Sequence, residues 1–317
     1  MGYHKLRYLI VVWQINLLLC AMFTTPAKHH HKESQSKMKG VRRYLFMLPA
    51  WLALLAGCQQ PPYQLDTSHQ SPNQDARVRY LVVHYTQIDD ASSLYELTRA
   101  ESEVSAHYLL SREERDGVPV LYQLVPEDQR AWHAGASYWQ GWRALNASSI
   151  GIEIVNLGYD PADAELPLGE RHWQPYTEHQ FRAVARLLLE LTERYQIAPT
   201  RLVGHSDISP GRKVDPGPRF PWQRLYQEYG LGAWPDEAKV QALLASTDPL
   251  APDVASLQTM LASYGYDLPR SGVLDERTRA VISAFQLHFR PALCDGNPDR
   301  ETVARLQLLL EQFNAQP

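Results

Sequence analysis

Short apolar runs recur between residues 80 and 204, at 80–85, 107–110, 120–125, 150–155 and 202–204. Each is rich in β-branched or aromatic residues, and together they predict strands. A different period holds over 177–195. There Phe181, Val184, Ala185, Leu188 and Leu191 return at helical spacing, and Thr177 with Gln180 has the order of a capping box. Strands alternating with helices predict an α/β fold, a mixed central β-sheet flanked by helices. The irregular stretches 132–146 and 158–176 predict surface loops that frame a groove.

The run Pro216-Gly217-Pro218-Arg219-Phe220-Pro221-Trp222 closes this portion and starts a last helix that stops at Gly230. Residues 78–232 are therefore expected to form one domain and 233–252 a connector. A small C-terminal three-helix bundle is expected over 253–317. Its first helix carries Val254, Leu257, Met260 and Leu261 and ends at Gly265. The second runs from about 275 to 288 with Val281, Ile282, Phe285 and Phe289 inward, and the third covers 300–313.

The N-terminus has another pattern. Met38-Lys39-Gly40-Val41-Arg42-Arg43 is a basic start, 44–56 is an apolar stretch too short for an ordinary membrane span, and Leu55-Ala56-Gly57-Cys58 follows. This is the layout of a secretory signal peptide, and small residues directly before a cysteine resemble the bacterial lipobox. The expectation is a chain starting at Met38, with 1–37 an upstream extension, acylated at Cys58 and tethered by the polar segment 58–77. By resemblance to sorting in enteric-type bacteria, Gln59 after the cysteine implies the outer membrane, lipid-anchored on the periplasmic side.

Charge and cysteine content narrow the picture. A net charge of −4 with no basic block argues against nucleic acid as a partner. Cys20 and Cys58 fall in the processed region and Cys294 stands alone, so the mature fold has no internal disulfide and no cysteine-rich metal site.

The candidate chemistry sits at the strand ends. His84 ends the first run, and His205 directly follows Leu202-Val203-Gly204. Asp215, ten residues further on, offers a carboxylate; Asp207 competes for that role, but two residues from His205 it more readily orients the loop. Two histidines and one carboxylate can hold zinc and leave a fourth position open for water. Glu153 stands inside the apolar run 150–155, where a charge needs a reason such as a catalytic base, although an exposed strand face would also hold it. Lys213 could aim its ammonium at an oxyanion or simply be solvated. Trp132-His133-Ala134-Gly135 is a further patch. Trp132, Trp139 and Trp142 fall in one predicted loop, and aromatic faces suit sugar rings. His133 is expected to contact substrate or serve the structure. Together these residues suggest a zinc hydrolase.

With Ser149-Ile150-Gly151-Ile152-Glu153-Ile154-Val155-Asn156 and His205…Lys213-Val214-Asp215-Pro216-Gly217, the pattern resembles the zinc-dependent N-acetylmuramoyl-L-alanine amidases of the amidase-2 class. That class is related to peptidoglycan recognition proteins and phage amidases. The resemblance covers nearly all of 63–312. It implies His84, His205 and Asp215 as ligands of one Zn2+, Glu153 as catalytic acid/base, and Lys213 as the residue that stabilises the transition state. It places Trp132, His133 and Asn156 near the substrate. The implied reaction is hydrolysis of the amide between N-acetylmuramic acid, including its anhydro form, and L-alanine in peptidoglycan and muropeptides, by a monomer. In the tail, Leu257-Gln258, Tyr264-Gly265-Tyr266, Gly272-Val273-Leu274-Asp275 with Thr278, and Phe285-Gln286 resemble a peptidoglycan-binding module. A non-catalytic cell-wall receptor is the rival from another class, and a zinc endopeptidase or sugar deacetylase is the rival enzyme. The ligand set argues against the receptor; only the resemblance along the chain separates the enzymes.

Overall fold

The computed structural model describes residues 63–246 and 253–313. The upstream extension, the signal segment and Cys58 lie outside the described residues. Of the described residues, 73–246 and 253–313 belong to one compact unit and 63–72 to another. In the latter, Ser68 donates from its backbone N–H and its hydroxyl to Asp66 Oδ1 (2.8 and 2.6 Å).

The larger unit is built on a five-stranded mixed sheet. Its strands are β1 (Tyr80–Tyr85), β2 (Tyr108–Arg115), β3 (Val118–Gln123), β6 (Ser149–Ile154) and β7 (Leu202–Gly204), in the order β3-β2-β6-β1-β7. β1 runs parallel to both β6 and β7, β2 runs parallel to β6, and β3 is antiparallel to β2. Every residue of β1 is buried, as expected of a central strand covered on both faces. Helix α1 (Asp90–Thr98), capped by Asp89, follows β1. Helix α2 (Glu178–Tyr195) carries the predicted capping box, and its stripe of Phe181, Val184, Leu188 and Leu191 joins the core. Burying each such side chain is worth roughly 1.5–3 kcal/mol.

Two loop expectations change. The stretch 132–146 contains a small hairpin, β4 (Tyr138–Trp139) and β5 (Trp142–Arg143). The stretch 233–252, read as a connector, contains a helix. After the single helical turn α3 (His205–Ile208) and α4 (Trp222–Tyr229), which Gly230 ends as predicted, comes α5 (Glu237–Ala245). Asp236 caps α5, Val240 is buried, and Arg305 pairs with Glu237 at 2.8 Å. The run Glu-Ala-Lys-Val-Gln-Ala-Leu-Leu-Ala is made of good helix formers, and a distant partner gives it a surface to pack on.

The predicted bundle is α6 (Val254–Tyr264), α7 (Glu276–Phe289) and α8 (Arg300–Phe313). It is stitched by two buried glutamines in similar settings. Gln258 Nε2 donates to Val273 O and Thr278 Oγ1, while its Oε1 accepts from Gly272 N. Gln286 Nε2 donates to Asn297 O and Thr302 Oγ1, while its Oε1 accepts from Gly296 N. These polar residues of the tail motifs build the bundle from within.

The bundle shares one continuous core with the sheet: Leu257, Leu261, Tyr264, Tyr266 and Phe289 belong to the same buried cluster as Trp139, Ile208 and Trp222. A polar bolt adds to it. Asp207, on α3, accepts at Oδ1 from the Tyr266 hydroxyl (2.7 Å), and at Oδ2 from Gly204 N and His288 Nδ1 (2.7 Å each). His288 is itself stacked between Trp222 and Phe289, with ring centroids at 4.0 and 3.9 Å. Tyr266→Phe removes one hydrogen bond to a buried carboxylate, so unfolding in urea is expected to show a loss of about 1.5–3 kcal/mol at unchanged slope. A variant as stable as the parent would show that the bolt contributes nothing.

Candidate active site

The carboxyl ends of β1, β6 and β7 open on one side of the sheet, where a site on such a sheet commonly forms. His84 and Glu153 are register partners on neighbouring parallel strands, so their side chains leave the same face. His205 follows β7 at once. Asp215 returns to it because Ser206 N donates to Asp215 O (2.8 Å) and Lys213 N to Ser209 O (3.1 Å). Gly204 permits this return, since a Cβ there would lie 2.7 Å from Pro216 Cδ.

Three side-chain atoms converge. His84 Nδ1 is 2.9 Å from His205 Nδ1, and both are 3.0 Å from Asp215 Oδ2. All three residues are buried. Tetrahedral zinc with N and O ligands at 2.0–2.1 Å sets neighbouring ligand atoms about 3.3 Å apart, so this triangle fits such an ion after an opening of a few tenths of an ångström. The donor set fits too. Burial, and then His205, push His84 down to about 4, so its imidazole is neutral near pH 7, the form a metal requires. Burial would raise the Asp215 carboxyl, but His205 and His84 hold it far below the usual carboxylate range.

His205 and Asp215 of the cluster lie in the wall of a cavity of about 410 Å³ that Glu153, Lys213, Arg212, Arg171, Tyr85 and Trp132 also line. Glu153 Oε2 is buried with no hydrogen-bond partner. Burial, reinforced by Asp215 and opposed by Lys213, raises this carboxyl to about 8. An orphaned carboxylate oxygen beside a would-be metal site is a proton acceptor without another task.

The remaining predicted residues divide. Trp132 is 54 % exposed at the cavity, with Arg130 over its ring at 4.4 Å. Trp139 is corrected from loop surface to core: it is 1 % exposed, donates from Nε1 to Thr200 O (2.8 Å) and meets Tyr266 edge-on. Trp142 is exposed under Arg79 and is not part of the cavity wall. Asn156 is buried, its Nδ2 donates to Gln174 O (3.2 Å) and its Oδ1 accepts from Gly158 N (2.8 Å), so it ties the 157–175 loop. His133 sits at the cavity floor with both ring nitrogens engaged inside: Nδ1 is 2.9 Å from His84 Nε2 and Nε2 is 3.1 Å from Ser149 Oγ. Burial, then His84, hold its pKa well below the ordinary histidine value. Asp207 serves the loop, as its spacing from His205 suggested.

Sequence reading missed Arg212. Its Nη2 donates to Ala134 O (2.8 Å) and Ser209 Oγ (2.6 Å) and lies 3.1 Å from His205 Nε2, which is itself 3.3 Å from Ala134 O. Its only signal in the sequence was its place beside Lys213.

A metal-suited triangle beside an orphaned glutamate, at the strand ends of a mixed sheet, is an arrangement suited to metal-assisted hydrolysis. The chain belongs to the N-acetylmuramoyl-L-alanine amidase family, Amidase_2, which it matches over residues 74–218. Residues 251–306 match a second family, PG_binding_1, described as a peptidoglycan binding domain. Among curated relatives, the N-acetylmuramoyl-L-alanine amidase AmiD of Escherichia coli is 43% identical over 283 residues, 86% of this chain and 99% of that protein. The 1,6-anhydro-N-acetylmuramyl-L-alanine amidase AmpD of Enterobacter cloacae is 41% identical over 124 residues, 38% of this chain and 58% of its own length. Among solved structures, E. coli AmiD in complex with anhydro-N-acetylmuramic acid-L-Ala-D-gamma-Glu-L-Lys matches with a TM-score of 0.71 at 44% identity, covering 80% of this chain and 97% of that one. AmpDh3 of Pseudomonas aeruginosa matches with a TM-score of 0.72 at 37% identity, covering 81% and 100%.

The raised Glu153 has a stability consequence in the chelated protein. The unfolded carboxyl loses its proton near 4.5 and the folded one near 8, so the contribution of Glu153 falls as pH rises between those values. Glu153→Gln removes that loss. Metal-free E153Q is expected to gain on the parent from about pH 5 to pH 8, reaching roughly 1–3 kcal/mol, in urea unfolding. A difference that stays flat with pH would refute the buried-carboxylate assignment.

Proposed function

We propose that this protein is a zinc amidase that hydrolyses the amide between the lactyl group of N-acetylmuramic acid, including the anhydro form, and L-alanine. The observation that carries the reading is the His84–His205–Asp215 triangle beside the unpartnered oxygen of Glu153. Membership of the family and the muropeptide in the AmiD complex support the substrate class.

Zinc held by the three residues would supply Lewis acidity, drawing electron density from a carbonyl oxygen and making a water more acidic. Glu153 takes the proton of the attacking water and returns it to the nitrogen of L-alanine as the amide bond breaks. The products are the lactyl carboxylic acid and a peptide with a free amino terminus. Lys213, in the same cavity, sets positive charge where the carbonyl oxygen turns negative, and Trp132 offers an aromatic face at the entrance. Arg212 holds the loop that carries Lys213 and Asp215 against 134–136.

The reading extends to the cell. A chain acylated at Cys58, with palmitate among its lipids, would sit at the outer membrane facing the periplasm as a monomer, within reach of peptidoglycan. The anchor is supported by the sequence through Gln59, which lies outside the described residues.

Mass spectrometry of an anhydro-muramyl-tripeptide digest tests the reaction. Release of a peptide that begins with L-alanine, lost on chelation and restored by zinc, is expected; cleavage within the peptide would mean an endopeptidase instead, and binding without cleavage a receptor. Glu153→Ala should lower kcat by about 10²–10⁴-fold with KM little changed, and near-normal turnover would remove Glu153 from the mechanism. Cys58→Ala should move the protein from the membrane to the soluble fraction; a variant that still sediments with membranes contradicts the anchor.

A further inference from the structure

His133 lies directly beneath the ligand cluster, in a space that only a glycine leaves open. A Cβ built on Gly151 would lie 2.3 Å from His133 Cγ. The loop that delivers His133 is fixed by Asn146, whose Oδ1 accepts from both His133 N (3.0 Å) and Ala134 N (2.7 Å). From the ring, a line of contacts runs in both directions. His133 Nδ1 faces His84 Nε2 at 2.9 Å, His133 Nε2 faces Ser149 Oγ at 3.1 Å, and Ser149 Oγ is 2.7 Å from Leu145 O.

The far end of this line sets the direction of every proton in it. A carbonyl oxygen can only accept, so the Ser149 hydroxyl donates its single proton to Leu145 O. Ser149 Oγ then has only lone pairs for His133, and His133 Nε2 must carry the proton between them. The other nitrogen of a neutral His133, Nδ1, is an acceptor, and it takes the Nε2–H of His84. His84 is left with a lone pair on Nδ1, the atom aimed at His205 and Asp215. The neighbouring His107 does not compete: its Nδ1 accepts from Gly151 N (3.0 Å), and its Nε2–H faces Gln129 O (3.2 Å).

We propose that His133, with Ser149 and the Leu145 carbonyl, is a positioning relay that locks His84 in the Nε2–H tautomer and so presents Nδ1 to the metal. The relay rests on the reading of His84 as a metal ligand. His133 is a positioning residue, since it acts on the ion through His84. Outer partners of this kind typically change metal affinity by about 10–100-fold.

The test joins zinc affinity, from competition with a chelator, to long-range proton–nitrogen NMR of the histidine rings in the full mature protein. In the unsubstituted protein His133 is expected as the Nε2–H tautomer both with zinc and after chelation. His133→Phe leaves the His84 Nε2–H without an acceptor and should bind zinc about 10–100-fold more weakly. His133→Asn sets a carbonyl oxygen where Nδ1 was and should recover most of that loss. Ser149→Ala, which touches no ligand, should weaken zinc in the same sense. The relay is overturned by a His133 ring protonated at Nδ1, by parental zinc affinity in His133→Phe, or by an Asn variant as weak as the Phe variant. If a variant does not fold, the ring tautomer of the unsubstituted protein decides. A parent that binds no zinc would sink the metal reading, while the tautomer of His133 in the metal-free protein would still judge the relay.

Discussion

The site depends on the parallel pairing of β1 with β6. A register in which His84 faces Glu153 puts a metal-ligand candidate and a proton acceptor on the same face of adjacent strands. A slip of one residue would turn one of them into the opposite layer. The register is held by burial, since β1 and most of β6 are inaccessible and their apolar residues belong to one core cluster with residues of the helices. β7 adds the second histidine from the other edge of β1, and the loop after it turns back through Gly204 and Pro216 to bring in the carboxylate. The strongest forces in the molecule, apolar burial and ladder pairing, thus set positions to which the polar groups of the site must conform.

Placing three polar ligand groups inside a core has a cost in desolvation, and the surroundings show how it is offset. His84 is neutral and its Nε2 has a partner in His133, its Nδ1 converges with His205 Nδ1 and Asp215 Oδ2 on one metal position, and Asp207 takes three hydrogen bonds. Among the carboxylates of the site Glu153 differs, with one oxygen unmatched. Incomplete satisfaction at one carboxylate, amid neighbours that are paired, is the mark of a group kept for chemistry. The C-terminal helices take part in this arrangement. Through Tyr266 and His288 they grip the turn that carries His205, so the tail steadies the site whatever it does with glycan.

Much of this was legible in the chain. Strand ends could be read from apolar runs, and His84, Glu153 and His205 stood out because their residue types conflict with, or directly follow, those runs, while Lys213 and Asp215 lay in the loop after His205 and took their roles from the family resemblance. The helix over 177–195 declared its own cap. What could not be read depends on partners far away in sequence. The family resemblance set Asn156 near the substrate, and the structure adds what the sequence does not show, that its amide donates to Gln174 O. Trp139 looked like loop surface, yet α6 and the residue after Gly265 bury it. His133 gave no hint that Gly151, eighteen residues on, opens its place. The helix at Glu237–Ala245 was hidden because its partner is distant in sequence: it packs on α8, where Arg305 pairs with Glu237.

The central claim is that His84, His205 and Asp215 hold one zinc ion. Metal analysis combined with X-ray absorption at the zinc edge, on protein purified without chelator, tests it most directly. One zinc per chain is expected, in a shell of nitrogen and oxygen at about 2.0–2.1 Å with two imidazoles, together with loss of the ion in His205→Ala. Protein that carries no zinc when supplied with it, or a metal shell that survives His205→Ala unchanged, would contradict the account.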